Sequence, residues 1–483
     1  MTNKVHLKFH SENKEILNPV LFFAKARKVK LYLVGGILRD LLLGREKENP
    51  DFDFAIKRGA INFGKKLAYE MRAGFVVLDK EHGACRVVKK ANDKIYTLDF
   101  TDFRGETLEK DLLHRDFTIN AIALDLENAV SEDGAEDFLI DSYGGRKDLK
   151  DKIIRAVHKT SFKEDPLRIL RAFSFASMLG FEIENETLKL AKKEKRKLVK
   201  VSLERIRDEL FKILDTQNSF SFFAELDKLK ILEILFPEIK KMRGIGQGPY
   251  HHLDVWQHTL KTMSQLDALL KAMKANHEVQ GYLNEVIAAE RKRRALIKLG
   301  AFLHDFGKPK TLRHEKKRTT FHGHERVGKH MAREIAKRMK LSNDESNALE
   351  RIVLWHLRPG YLGDFACPSA RAKFRFFRDA GSEAISTLLL SIADQRATKG
   401  PLTTSASRLQ HEKVVFGMIR EHYRKKKEKK MLRLVNGNDL MREFKLEPSP
   451  LIGKILTELE ELQAIGKIKT KEEALKAAKK FVR

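Results

Sequence analysis

A chain of 483 residues with 42% hydrophobic content is long enough for about three ordinary domains and can bury a sizeable core. Lys and Arg number 95 against 67 Asp and Glu, and the resulting +28 net charge points to polyanionic partners through phosphate contact and counterion release. The two cysteines, Cys85 and Cys367, exclude a disulfide framework or thiolate zinc site; the opening MTNKVHLKFHSENKEIL has no apolar signal core, and no run approaches about 18 uncharged apolar residues, so no membrane span is expected and the cytoplasm is the expected compartment.

From about residue 28 to 142 the chain reads as short β-rich runs, VKLYLVGG, DFDFAI, GFVVLD, CRVVKK, KIYTLDF and NAIALDL, broken by glycine and charged turns. This pattern predicts a small mixed α/β domain. Within it LYLVGGILRDLLLG is a strand, a glycine pair and a helix carrying Arg39 and Asp40. Gly35 and Gly36 let the backbone approach a ligand closely, the helix start offers free N–H groups to phosphate, and Gly36 and Arg39 are expected to hold a triphosphate. In the next run, NPDFDFAI, Asp51 and Asp53 are two apart and share a strand face, where their charges repel unless a cation lies between them. Two Mg²⁺ ions would resolve that repulsion and clamp the attacking hydroxyl and leaving pyrophosphate of a nucleotidyl transfer. Asp99, in KIYTLDFTDF, is preferred over Asp102 as a third catalytic carboxylate on the next strand; for either, the alternative is a strand-end residue with no role.

Further along, HRDFTINAIA places Arg115 for a phosphate contact and Asp116 as a ribose hydroxyl acceptor, with Asn120 holding the loop; a buried ion pair is the alternative. In EDPLRILRAFSFA, Asp165 before Pro166 suits a helix cap, which would leave Arg168 and Arg171 as ordinary exposed arginines. On the other reading the three project along one helical face. Asp165 would then accept from an exocyclic amine and Arg168 donate to base ring atoms, selecting CTP and ATP without a nucleic-acid template.

From about residue 160 helical periodicity takes over, with a break at GIGQGPY (Gly244 to Tyr250) and a lysine run from Arg424 to Lys430, read as a solvated face or linker or as a phosphate track. The expected divisions are 1–158, 159–245, 246–425 and 426–483.

Five ordered stretches, LVGGILRDLLLG with DFDFA, HRDFTINAIA, YGGRKDLKDKIIRAV, EDPLRILRAFSFA and SLERIRDEL, resemble the motifs of the class II tRNA nucleotidyltransferases, or CCA-adding enzymes, relatives of bacterial poly(A) polymerases. The resemblance implies a polymerase-beta-like α/β head followed by a mostly α-helical neck, HD region and tail. It implies binding of the tRNA acceptor arm and addition of CCA, or part of it, from CTP and ATP with Mg²⁺, and it favours the phosphate, ribose and base-reading roles for Arg115, Asp116, Asp165 and Arg168. Addition of CC only, of A only, or of a poly(A) tail are the narrower alternatives. Two departures stand out: Ser174 occupies a position where the family often has arginine, and His114 one where a second arginine is usual.

The series His258, His304 with Asp305, and Asp394, on helical patterns, resembles the HD superfamily of metal-dependent phosphohydrolases, with His324 and His356 allowing a second metal. Imidazole and carboxylate ligands suit Mn, Ni, Fe or Zn, with water attacking a phosphoester; a decayed site kept for packing is the alternative, and a phosphohydrolase acting on RNA ends is the rival reading of the whole chain. The tail, from Asn436, reads as two amphipathic helices joined by a Pro-containing turn that close the body and touch RNA.

Overall fold

The computed structural model describes residues 9, 11–45, 49–91, 93–130, 135–248, 252–315, 318–400, 404–427 and 432–482. The first eight residues, Tyr250 of the GIGQGPY break, His251, and Lys429 and Lys430 of the lysine run lie outside them. The chain divides into two compact units, Met1–Arg205 and Ile206–Arg483. No helix among the described residues is long and apolar enough to cross a membrane.

In the first unit each of the six β-rich runs forms a strand. After a helix α1 (Ser11–Ala26) come β1 (Leu31–Val34), α2 (Gly36–Leu42), β2 (Asp51–Ile56), α3 (Ala60–Glu70), β3 (Gly74–Asp79), β4 (Ala84–Ala91) and β5 (Lys94–Asp102), then α4 (Leu108–Leu113) and β6 (Ala123–Asp125). The sheet order is β3-β4-β5-β2-β1-β6, with β2 and β5 parallel and the other neighbours antiparallel. Strand alternation explains the layering. Phe52 and Phe54 of β2 are buried, Phe54 stacks on Phe100 of β5 at 4.8 Å between centroids, and Phe63 of α3 packs on Phe100 at 5.3 Å. The intervening positions, Asp51 and Asp53, therefore face the other way.

Four more helices follow in this stretch: α5 (Leu126–Val130), α6 (Gly145–Asp151), the short α7 (Ser161–Glu164) and α8 (Arg168–Leu179). Helix α8 starts later than a cap at Asp165 with Pro166 as first helical residue would place it. Asp165 is extended (φ −138°, ψ 103°), and its carboxylate accepts from Leu167 N–H at 3.1 Å, so it braces the entry to α8 from outside the helix.

Among the described residues the second unit is helical, apart from two small two-stranded ribbons. The helix Ala384–Ala397 is apolar on nearly every side along ISTLLLSIA and is buried accordingly. Phe302, fully buried near the end of the helix Arg293–Leu303, meets Phe223, Phe236, Trp256 and Phe306 with centroids 4.9 to 5.7 Å apart. Among the described residues the tail holds three helices, Gly437–Phe444, Pro450–Ala464 and Lys471–Ala478, one more than expected. Gly466 at φ +73° ends the second, and a reciprocal capping box between Thr470 and Glu473 starts the third. The fully buried Glu461 anchors this tail by accepting from Arg375 Nε at 2.7 Å and pairing with Arg371.

Removing the aromatic hub should be costly: Phe302→Ala is expected to lower the stability of the helical unit by about 3–5 kcal/mol. Denaturant unfolding followed by tryptophan fluorescence checks this, since Trp256 touches the deleted ring.

Candidate functional site

On the face of the sheet opposite the phenylalanines, register brings the acids together. Asp53 pairs with Asp99 across the parallel β2–β5 ladder, and Asp99 pairs with Arg86 across β5–β4. In-register residues on adjacent strands point the same way about 5 Å apart, so Asp51, Asp53 and Asp99 form one carboxylate cluster. Arg86 holds Asp99 with two parallel bonds, Nε to Oδ1 and Nη2 to Oδ2, both 2.8 Å. Asp99 in turn raises the Arg86 guanidinium above its ordinary value, against the opposing effect of partial burial. These four side chains line a cavity of about 620 Å³ with Gly36, Asp40, Arg45 and Lys94. Its polar, acidic lining suits divalent cations with water and phosphate oxygens completing their shells.

Gly35 sits at the rim of this cavity in a conformation (φ +78°, ψ −135°) that only glycine adopts readily. A Cβ there would stand 2.9 Å from Arg115 Nη1 and 3.3 Å from Asp53 Oδ2, so a guanidinium and a carboxylate converge on the bare backbone. Arg39, expected at the triphosphate, is instead buried. It donates through Nε to Asp40 at 2.9 Å and through Nη1 to Asn120 Oδ1 at 2.8 Å. Asn120 passes the chain on, its amide donating to Asp116 Oδ1 at 3.0 Å, while Arg171 Nε and Nη2 donate to Asp116 Oδ2 at 2.9 and 2.7 Å. The Phe175 ring lies between Arg39 and Arg171, each guanidinium about 5 Å from its centroid. Burial alone would push Asp116 up; Arg171, the Asn120 amide and the Phe117 N–H outweigh it and hold the carboxyl below its usual range.

A second cavity of about 300 Å³ is lined by Asp53, Asp111, His114, Arg115, Asp116, Asp165, Arg168, Arg171 and Arg205 among others. Every residue expected to touch sugar or base is thus at one pocket. Asp165 Oδ2 accepts from Arg205 Nη2 at 2.7 Å, while Arg168 is buried, bonded to Ser161 Oγ at 2.8 Å and to the His114 carbonyl at 2.6 Å. Ser174 is buried and its hydroxyl donates to the Arg171 carbonyl at 3.2 Å. Sequence reasoning missed Arg86, Arg205 and Phe175. Arg205 stood inside a quoted motif, SLERIRDEL, whereas Arg86 required strand register and Phe175 required side-chain packing.

In the helical unit the expected histidines and aspartates do meet. Asp305 is central: Oδ2 lies 3.1 Å from His304 Nε2 and 3.7 Å from His258 Nε2, while Oδ1 lies 3.4 Å from His324 Nε2 and 4.0 Å from His356 Nε2. Asp394 Oδ1 is 2.8 Å from His258 Nε2. The Nδ1 atoms of His304, His324 and His356 each lie 2.7 to 2.9 Å from the carbonyl three residues back, so each Nδ1–H donates there and the Nε2 atoms turn inward; burial would lower His304, but Asp305 and Asp394 raise it above its ordinary value. His304 Nε2 and both Asp305 oxygens are solvent-excluded and lack an aligned hydrogen bond, although Lys308 Nζ, missed from sequence, stands 2.7 Å from Oδ2. Burial would push Asp305 and Asp394 up, but the neighbouring imidazoles, and Lys308 for Asp305, hold both well below the carboxylate range. His356 is pushed down to about 3 by burial and by His304 and His324, which keeps it a neutral ligand. Inward lone pairs around one carboxylate fit a metal in two triads, His258–His304–Asp305 and Asp305–His324–His356. The adjoining cavity of about 440 Å³ reaches Asp305, Lys308, His356 and Asp394.

A sheet that gathers three carboxylates beside a glycine turn and a base-sized pocket defines a nucleotidyltransferase head. The chain matches the Poly A polymerase head domain over residues 31–155, the probable RNA and SrmB-binding site of polymerase A over 180–242, the HD domain over 255–399 and the putative tRNA nucleotidyltransferase domain 2 over 383–478. It is 30% identical over 444 residues, 89% of this chain and 91% of the other, to an A-adding tRNA nucleotidyltransferase of Deinococcus radiodurans. It is 34% identical over 279 residues, 58% of this chain and 60% of the other, to a CC-adding tRNA nucleotidyltransferase of Geobacter sulfurreducens. Its fold is similar to the Thermotoga maritima CCA-adding enzyme complexed with tRNA, with a TM-score of 0.66 and 23% identity over 98% of this chain and 97% of that one. The chain belongs to the class II tRNA nucleotidyltransferases, the family of the CCA-adding enzymes.

Gly35→Ala is expected to suppress nucleotide incorporation while leaving circular dichroism unchanged, because the strain of about 1–3 kcal/mol falls where Arg115 and Asp53 converge. In the helical unit, Mn²⁺, Ni²⁺ or Zn²⁺ is expected to raise the unfolding midpoint, by about 2.7 kcal/mol of stabilisation at a hundredfold excess over Kd, and His304→Ala should remove the effect in differential scanning calorimetry.

Proposed function

We propose that this protein adds CCA, whole or in part, to the 3′ end of tRNA from CTP and ATP, with Mg²⁺ in the head. The observation that carries the reading is the juxtaposition of two cavities sharing Asp53: the carboxylate cluster of Asp51, Asp53 and Asp99 on one side, and the pocket of Asp116, Asp165, Arg168 and Arg171 on the other. Asp51 and Asp53 would hold Mg²⁺, which supplies charge neutralisation for the attacking hydroxyl and leaving pyrophosphate. Asp99 joins them once Arg86 yields it. Gly35, Gly36 and Arg115 receive the triphosphate; Arg39, Asp40 and Asn120 position Asp116 for the ribose.

Base selection falls to Asp165 and Arg168. Arg205 presents the Asp165 carboxylate as an acceptor, and the buried Arg168 is oriented by Ser161 and the His114 carbonyl. A fixed acceptor and donor suit cytosine and adenine and leave polar groups unpaired against guanine and uracil. The +28 charge favours the tRNA acceptor arm, and the cytoplasm is the compartment proposed. The four-part division at 158, 245 and 425 is kept as a functional map: head, base-reading neck, HD region and tail.

A second activity is proposed for the HD region because His258, His304, Asp305, His324 and His356 converge in two metal-sized triads, with Asp394 bonded to His258. Histidines and aspartates would hold Mn, Ni, Fe or Zn, whose bound water supplies a nucleophile for phosphoesters at RNA ends, with Lys308 facing the same cavity.

The deciding assay offers two tRNA transcripts, one lacking CCA and one lacking only the terminal A, with labelled CTP or ATP. Extension by three and one nucleotides is expected. Extension of one transcript alone would indicate a CC-adding or A-adding specialist, and long A ladders a poly(A) polymerase. Asp53→Ala is expected to cut incorporation about 10³-fold or more, several kcal/mol of lost metal stabilisation, while retaining tRNA binding in a gel-shift assay. Undiminished activity in that variant would overturn the assignment.

A further inference from the structure

Beside the base-reading helix stand two histidines whose contacts the nucleotidyl transfer does not require. His114 Nδ1 lies 3.3 Å from Glu164 Oε2, and His158 Nε2 lies 3.3 Å from Glu164 Oε1. One ligand atom from each of His114, His158 and Glu164 falls within 4.8 Å of the other two. The His158 Nε2 atom is solvent-excluded and has no aligned hydrogen-bond partner. Its ring is fixed from the other side, where Nδ1 stands 2.8 Å from the Thr160 hydroxyl; a longer contact from the Thr160 N–H, at 3.3 Å, competes with it. These contacts to Nδ1 hold the ring with Nε2 turned to the carboxylate, where a metal ion would take the place of the Nε2 proton.

We propose that His114, His158 and Glu164 form a transition-metal site of the Zn²⁺ class in the wall of the base-reading pocket. Two imidazoles and one carboxylate match the donor preference of Zn²⁺ over Mg²⁺ and leave a fourth tetrahedral position open. His114 also lines the 300 Å³ pocket, so the site borders the space proposed for the base. The cation now nearest Glu164 is Arg168, whose Nη1 is 3.5 Å from Oε2. Metal on Glu164 displaces that contact, and because Arg168 is the proposed base donor, occupancy alters the balance of CTP and ATP use. That consequence rests on the base-reading assignment; the binding itself does not.

The test uses the full chain carrying His304→Ala and Asp305→Ala, which remove the HD metal ligands, and measures bound Zn²⁺ by equilibrium dialysis. Adding either His158→Gln or Glu164→Gln is expected to lower the stoichiometry by one equivalent, with unchanged circular dichroism. Two variants guard against misfolding of one. Equal Zn²⁺ binding by the parent and both variants would overturn the site. Zn²⁺ that binds at the three residues yet leaves the ratio of CTP to ATP incorporation unchanged would overturn the link to base reading and leave the metal site standing.

Discussion

Three carboxylates on one face of a sheet need positive charge between them, and the organisation of the head follows from how that charge is supplied. Asp51, Asp53 and Asp99 are brought together by a parallel ladder whose other face is bound by stacked phenylalanines, so the acids cannot move apart without disrupting the core. Arg86 neutralises Asp99 from the strand beyond. A bidentate guanidinium satisfies one carboxylate well and the others at a distance, which leaves the cluster with an appetite for divalent cations. The cavity over these residues is acidic and open to water, the environment in which Mg²⁺ keeps part of its hydration shell while bridging to phosphate.

The same head also holds Asp116 and the arginines around it in fixed relation to the carboxylate cluster. A continuous set of hydrogen bonds runs from Asp40 through Arg39, Asn120 and Asp116 to Arg171, with Phe175 between the two guanidinium groups. Asp40, Arg39, Asn120 and Asp116 are buried and Arg171 is partly exposed, and each uses its donors or acceptors on the next, so truncating one leaves a charged neighbour unsatisfied. This explains why Arg39, which sequence reasoning sends to the triphosphate, points inward: its part is to tie the helix after the glycine turn to the loop that carries Asp116.

Much of this was legible before any coordinates. The alternation in DFDFAI specified which side chains enter the core, the glycine pair specified a backbone no side chain could occupy, and the five ordered motifs specified the family. What alternation cannot specify is which strand lies next to which, so Asp99 was chosen on plausibility and Arg86 was overlooked; both depend on register set by long-range pairing. Asp165 and Pro166 satisfy the local rule for a cap, and Asp165 is extended and accepts from Leu167 N–H, but the regular helix begins only at Arg168. The third tail helix was missed because its amphipathic signal is short, and its capping box is the stronger clue.

The histidine cluster of the helical unit bears on whether a metal site persists there or only its residues. His304 and His356 each follow the last residue of a helix, where terminal carbonyls lack intrahelical donors, and each imidazole sits against one of them three residues back. Those bonds fix the rings with Nε2 facing Asp305. A site retained for packing alone would gain nothing from lone pairs converging on a buried carboxylate, and hydrophobic replacements would relieve the desolvation of these groups. Such a buried cluster needs positive charge to offset the desolvation of its carboxylates. Lys308 supplies part of that charge to Asp305 and faces the same cavity, so the arrangement carries its own partial counterion in the way Arg86 does in the head. Both centres thus place a protein cation beside a carboxylate that has other charged groups around it, Arg86 at Asp99 and Lys308 at Asp305.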